Sequence, residues 1–211
     1  MAIDFARRER AELCELFLDV GHDAPTLCDG WTTRDLAAHL VVRERRPDAA
    51  IGLVVPPLAG HGDAVRERYA TRPYDELVGL VHDGPPRWSP MRLEALDRAA
   101  NTIEYFVHHE DVRRAADGWE PRALDPALVD ELWAMVTRMT RLTMRHAPAG
   151  VVLVEPDHGR HLAKDGSPVV EVIGPAPEIA LFVSGRQAHS RVELTGPDEA
   201  VDAVRTASFG L

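Results

Sequence analysis

The sequence predicts a mostly α protein, a four-helix bundle over residues 1–146 followed by a small α+β domain over 151–211. Three observations lead there. From residue 4 to about 146, apolar residues recur at spacings of three and four, the helical period. After "APAG" (147–150) the texture changes to β-branched runs, "GVVLVEP" and "PVVEVIG". The 211 residues, 45% hydrophobic and 27% charged, suit a soluble globular chain with a core of ordinary size.

The first helix is "FARRERAELCELFLDV", stopped by Gly21. A turn-rich stretch, "GHDAPTLCDGW", leads to the second, "WTTRDLAAHLVVRER". There Thr32 is placed to cap, Asp35 to complete a capping box, and Trp31 and Leu36 to staple the helix start. Pro47 interrupts this pattern, and "IGLVVPPLAGHG" reads as a connection broken by Pro56 and Pro57. Short helices are expected over 62–69 and 74–82, then a loop at "HDGPPRWSP". The long run "MRLEALDRAANTIEYFVHHEDVRRA" and the run "PALVDELWAMVTRMTRLTMRH", opening on Pro126, are the remaining bundle helices. In the tail, the two β-branched runs flank a Gly-rich hairpin, "DHGRHLAKDGS". "APEIALFVSGR" reads as helix, "RVELTG" as strand and "PDEAVDAVRTASFG" as helix.

The formal charge of −10 argues against a polyanion partner such as nucleic acid, which needs a basic face. "RRER", "RERR" and "VRR" each lie beside acids and read as solvated helix faces. No apolar run is long enough to span a bilayer, and the charged, helix-patterned N-terminus does not read as a secretory signal. Two cysteines without a CxxC pair argue against a disulfide framework and fit a reducing cytoplasm. Cys14 reads as a small buried hydrophobe, and Cys28 sits in the loop before "DGWTT".

The chemistry concentrates in "NTIEYFVHHED". Glu104 and His108 are one turn apart on one helix face, and Asp111 extends that stripe, with Asn101 and Asp97 before it. Ile103 and Val107 flank the line, so part of it points inward, where a lone carboxylate is costly. It needs a cationic side chain or a metal. His39 on the capped helix is the natural third member, giving a two-histidine, one-glutamate set of the kind that leaves a zinc position open. His109 is rotated about 100° from His108 and is not expected on the same ion. The alternative is an arginine paired with Glu104, with His39 and His108 as ordinary half-buried histidines.

"LCDGWTTRDLAAHL" followed by "NTIEYFVHHEDVRRA" resembles the DinB-like superfamily and, more narrowly, the mycothiol-dependent maleylpyruvate isomerase family of actinobacteria. Gly30, Trp31, Thr33, Asp35 and His39 match the first family motif; Glu104, His108 and Asp111 match the second. The tail resembles that family's sterol-carrier-like domain, while "GPPRWSP" and "FVHHEDVRRA" resemble an actinobacterial branch described only as metal-binding. His109 and Glu110 stand where the isomerases often carry Gly-Trp.

The resemblance implies Zn2+ or another divalent metal on His39, Glu104 and His108, with mycothiol as the low-molecular-weight thiol. The partners it implies are that thiol and a small electrophile, joined by isomerisation or S-transfer. It places Arg186, in "SGRQAHSR", near the cleft as the cation for an acidic electrophile, with Arg87 and Arg43 as alternatives. Asp111 is expected either to orient His39 or His108 or to pair with Arg113 or Arg114. Trp31 and Trp88 read as packing residues; His61, His82, His158 and His161 read as solvent-facing loop residues. Two other classes remain: a hydrolase using zinc-bound hydroxide, and a non-catalytic protein whose ion is closed off, for which Asp111 could be the fourth ligand.

Overall fold

The computed structural model describes residues 4–50, 59–86 and 94–209; Pro56, Pro57, Arg87 and Trp88 lie outside them. The chain divides into two compact units, Met1–Pro121 and Arg122–Leu211.

In the first unit α1 is Phe5–Val20, opened by the Asp4 carboxylate accepting the Arg7 N–H at 3.1 Å. It ends at Gly21, whose φ of +83° costs a residue without Cβ little. Helix α2 is Thr33–Arg45. The Asp35 carboxylate accepts the Thr32 N–H (3.1 Å), as the capping pattern predicts, and in addition the Thr32 hydroxyl (2.8 Å). Next come α3 (Pro47–Ala50), α4 (Ala59–Ala70) and α5 (Tyr74–Asp83), then the long α6 (Glu94–Arg113). Helix α1 packs along α6 and α5, and α2 packs against α4 and α5. One buried core takes Leu13 and Phe17 from α1, Leu36 and Leu40 from α2, Leu77 from α5 and Tyr105 from α6. Cys14 joins it, and burial pushes its thiol up to about 12, so this cysteine acts as an apolar filler.

The core also encloses polar groups. Glu44 of α2 accepts from Arg10 at 2.5 Å, Tyr105 at 2.9 Å and Asn101 at 3.2 Å, all on one oxygen. The Arg10 guanidinium lies 4.7 Å over the Tyr105 ring. Gly84, with φ +68°, lets the chain pass beside it, because a Cβ there would sit 2.1 Å from the Arg10 terminal nitrogen.

The second unit begins with α7 (Pro126–Thr143), whose Asp125 cap accepts the Ala127 N–H at 3.0 Å. Its buried face, Leu128, Leu132 and Val136, packs on α8 (Ala176–Val183) and on the second strand. Four strands follow the order β2-β1-β3-β4: β1 Gly150–Glu155, β2 Gly159–Lys164, β3 Val169–Ile173 and β4 Glu193–Thr195. β1 pairs antiparallel with β2 and parallel with β3, while β3 pairs antiparallel with β4. Between α8 and β4 is a 3-10 turn, Gln187–His189, and α9 (Asp198–Thr206) ends the unit.

The stretch read from sequence as a hairpin between two strands is itself a strand, β2. As an edge strand it leaves Arg160 and Leu162 exposed, so its apolar alternation is faint. His161 therefore lies on a strand, half-buried and 3.0 Å from the Thr140 hydroxyl, not in a solvent-facing loop. His61 and His82 are exposed but on helices α4 and α5. His158, in the β1–β2 turn, reaches Glu155 at 2.8 Å and Asp130 at 2.9 Å.

Candidate metal centre

The cap on α2 sets that helix's phase, and with it the direction of His39 and, one turn on, Arg43. On α6 the spacing of Glu104, His108 and Asp111 puts all three on one stripe. The structure brings His39, Glu104 and His108 together. Glu104 Oε1 lies 3.5 Å from His39 Nε2 and 3.3 Å from His108 Nε2. The two imidazoles meet edge-on with centroids 5.3 Å apart, and the three candidate ligand atoms all lie within 4.8 Å of one another. Bonds of about 2.0–2.2 Å to a tetrahedral zinc would set nitrogen–oxygen separations of roughly 3.3–3.4 Å. The donor set and its spacing therefore fit a divalent cation.

Arg43 is the second charge on this carboxylate. Its Nε is 3.1 Å from Glu104 Oε1, the same oxygen, so the arginine pairing and the imidazole cluster coexist. The Trp31 ring, 5.2 Å from His39 and tilted by 49°, walls the histidine, and the Arg66 guanidinium sits 4.9 Å over that indole.

Asp111, fully buried, accepts from His108 Nδ1 at 2.8 Å, which aims Nε2 at Glu104. Cys28 Sγ reaches the same Asp111 oxygen at 3.3 Å and lies 4.0 Å from His108 Nδ1. Cys28, His108 and Asp111 are thus a second group with ligand-type atoms. The 2.8 Å contact is a hydrogen-bond length, shorter than a shared cation would set, so the geometry favours an orienting role for Asp111. Arg113 and Arg114 both pair with Glu110 instead, at 3.0 and 2.6 Å. His109 turns away to Glu9 of α1, 3.1 Å from its Nδ1. That contact spans two helices far apart in sequence, and no local spacing signals it.

Arg186 lies in the second unit, half-buried, its NH1 donating to the Ser184 carbonyl at 2.6 Å.

These surroundings set the protonation of the three side chains. At Glu104 burial pushes the carboxyl up, but hydrogen bonds with His108 and His39 and the charges of His108 and Arg43 hold it well below the usual range. At His108 burial favours the neutral ring, yet hydrogen bonds to Asp111, Cys28 and Glu104 outweigh it and raise the pKa well above the ordinary value. At His39 burial wins over the hydrogen bond to Glu104, and the pKa is lowered. Near neutral pH the centre holds a protonated His108, an ionised Glu104 and a neutral His39.

A cation bound at Nε2 would displace the His108 proton. Up to one proton per ion should therefore be released at pH 7, and affinity should fall about tenfold per pH unit on acidification below the raised His108 value. Calorimetry in buffers of different ionisation heat measures it; zero proton release at pH 7 contradicts this protonation pattern.

No family model and no curated protein matches the sequence. Among solved structures, the mycothiol-dependent maleylpyruvate isomerase matches with a TM-score of 0.60 over 90% of this chain and 90% of that chain, at 19% identity. A histidine-to-alanine mutant of the same isomerase gives the same values. The chain thus shares the fold of that enzyme. No helix among the described residues is long and apolar enough to cross a membrane.

Proposed function

We propose that this protein is a divalent-metal-dependent enzyme, most simply a zinc enzyme, of the mycothiol-dependent isomerase or S-transferase type. In this reading a DinB-like bundle carries the metal and a sterol-carrier-like unit follows it. The observation that carries the proposal is the placement of Glu104 Oε1 at 3.3 and 3.5 Å from two imidazoles on different helices. The shared fold with an enzyme named for mycothiol and maleylpyruvate supports the choice of chemistry.

His39, Glu104 and His108 would hold the ion, and Asp111 would keep His108 in the tautomer and orientation that present Nε2. When bound, the ion supplies a position at which a thiol is ionised at neutral pH, ready to add to an electrophilic alkene. That chemistry would serve isomerisation where the thiol is released again, and S-transfer where it is retained with its proton on the product. Arg186 would neutralise the carboxylate of an acidic electrophile.

The test is consumption of mycothiol, or isomerisation without net consumption, across a panel of small electrophiles by the zinc-loaded protein. Arg186→Ala is expected to raise KM for carboxylated electrophiles about tenfold or more while leaving metal content unchanged. Zinc-loaded protein that neither binds a thiol nor turns over any electrophile would overturn the reading.

A further inference from the structure

Glu104 Oε1 is held by Arg43 as well as by the two imidazoles. Arg43 Nε meets Glu104 Oε1 at 3.1 Å, and its NH1 donates to the Asn101 side-chain oxygen. Asn101, fully buried, donates in turn to Glu44 at 3.2 Å, the carboxylate that also holds Arg10 and Tyr105. A chain of polar groups thus runs from the candidate ligand through α2 and α6 to α1. An arginine serving only as a surface charge would not place two of its N–H donors on acceptors of one polar network; the Arg43 side chain is 18% exposed.

We propose that Arg43 is a positioning residue for the candidate metal carboxylate. Anchored by Asn101, which Glu44 holds in turn, it keeps Glu104 Oε1 in reach of both imidazoles and fixes a positive charge at the edge of the cation site. This rests on His39, Glu104 and His108 being the cation ligands. It has two separable consequences. The fixed charge repels the cation, so the site binds its ion more weakly than its three ligands would alone, and the ion stays correspondingly electron-poor. The grip on Oε1 restrains the carboxylate, so the coordination geometry depends on Arg43 even though it is not itself a ligand.

The test uses full-length protein and Co2+ as the probe, with affinity read by chelator competition and geometry by the visible absorption of the bound ion. Arg43→Met removes the charge at similar length. It should bind Co2+ about tenfold or more tightly than wild type, with an altered spectrum. Arg43→Lys keeps the charge but cannot span Glu104 and Asn101 together. Its affinity should stay within about threefold of wild type while its spectrum shifts. A merely structural arginine would give weaker binding in Arg43→Met or none of these changes. Unaltered or weaker affinity with the wild-type spectrum overturns the proposal. If Arg43→Met does not fold, a wild-type spectrum in Arg43→Lys does so alone. Wild-type protein that takes up no Co2+ would instead overturn the metal assignment beneath it.

Discussion

Glu104→Gln is expected to empty the centre of metal while leaving the helices intact. The substitution keeps the side chain's shape and removes the only negative charge among His39, Glu104 and His108. A neutral amide oxygen is a poor ligand for a divalent ion, and the amide N–H2 would point donors where lone pairs are needed. Affinity should fall on the order of a thousandfold, so protein that carries about one ion per chain should retain under about a tenth of that after dialysis. His108→Ala should do the same. Asp111→Asn, which leaves the ligands but weakens the orientation of His108, should lose only about 10–100-fold. The fold should survive in the Gln variant because the Glu104 side chain is 27% exposed and the apolar core is built from other positions. Elemental analysis with far-UV circular dichroism decides it: full metal stoichiometry in Glu104→Gln and His108→Ala would remove the site.

What could be read from the sequence was what local spacing encodes. The cap at Thr32 and Asp35 fixes where α2 starts, hence which way His39 points, and the stripe of Glu104, His108 and Asp111 follows from helical period alone. The approach of α2 to α6 at that stripe was one of two readings of the residues alone, and the resemblance of two motifs favoured it, because no period within one helix states its neighbour. The same limit explains the rest. Arg43 was one of three candidate cations for a substrate, and only the fold puts it on Glu104 Oε1. The fixation of Asp111 by Cys28 joins a loop to a helix, helped by the Leu27 N–H bonding the Asp111 carbonyl at 3.0 Å. The amphipathic pattern of α7 announces a buried face but not what covers it; in the structure α8 and β2 do. The polar core was the least legible feature. Glu44 and Arg10 fall in charge-rich strings, "RERR" and "RRER", that read as solvated faces, yet the residues are only 4% and 6% exposed.

That buried pair should be the most sensitive point of the first unit. Glu44→Leu removes the carboxylate oxygen shared by Arg10, Tyr105 and Asn101, and an arginine charge then stays in an apolar core without that counter-charge. Breaking one side of a buried ion pair typically costs about 3–5 kcal/mol, because the attraction is lost while the desolvation cost of the remaining charge is kept. Tyr105→Phe deletes one donor only and should cost about 1 kcal/mol. The cause can be isolated by removing both charges. In Arg10→Met/Glu44→Leu neither charge of the pair remains, so most of the loss should be recovered although more native contacts are gone than in the single variant. Denaturant unfolding measures these three and Arg10→Met alone, with any separate transition of the second unit fitted on its own. If the double variant were as unstable as the sum of its singles, the cost would come from lost packing and not from a stranded charge. The network would then serve as filler for the core, with no electrostatic hold to pass along Asn101 and Arg43 to Glu104.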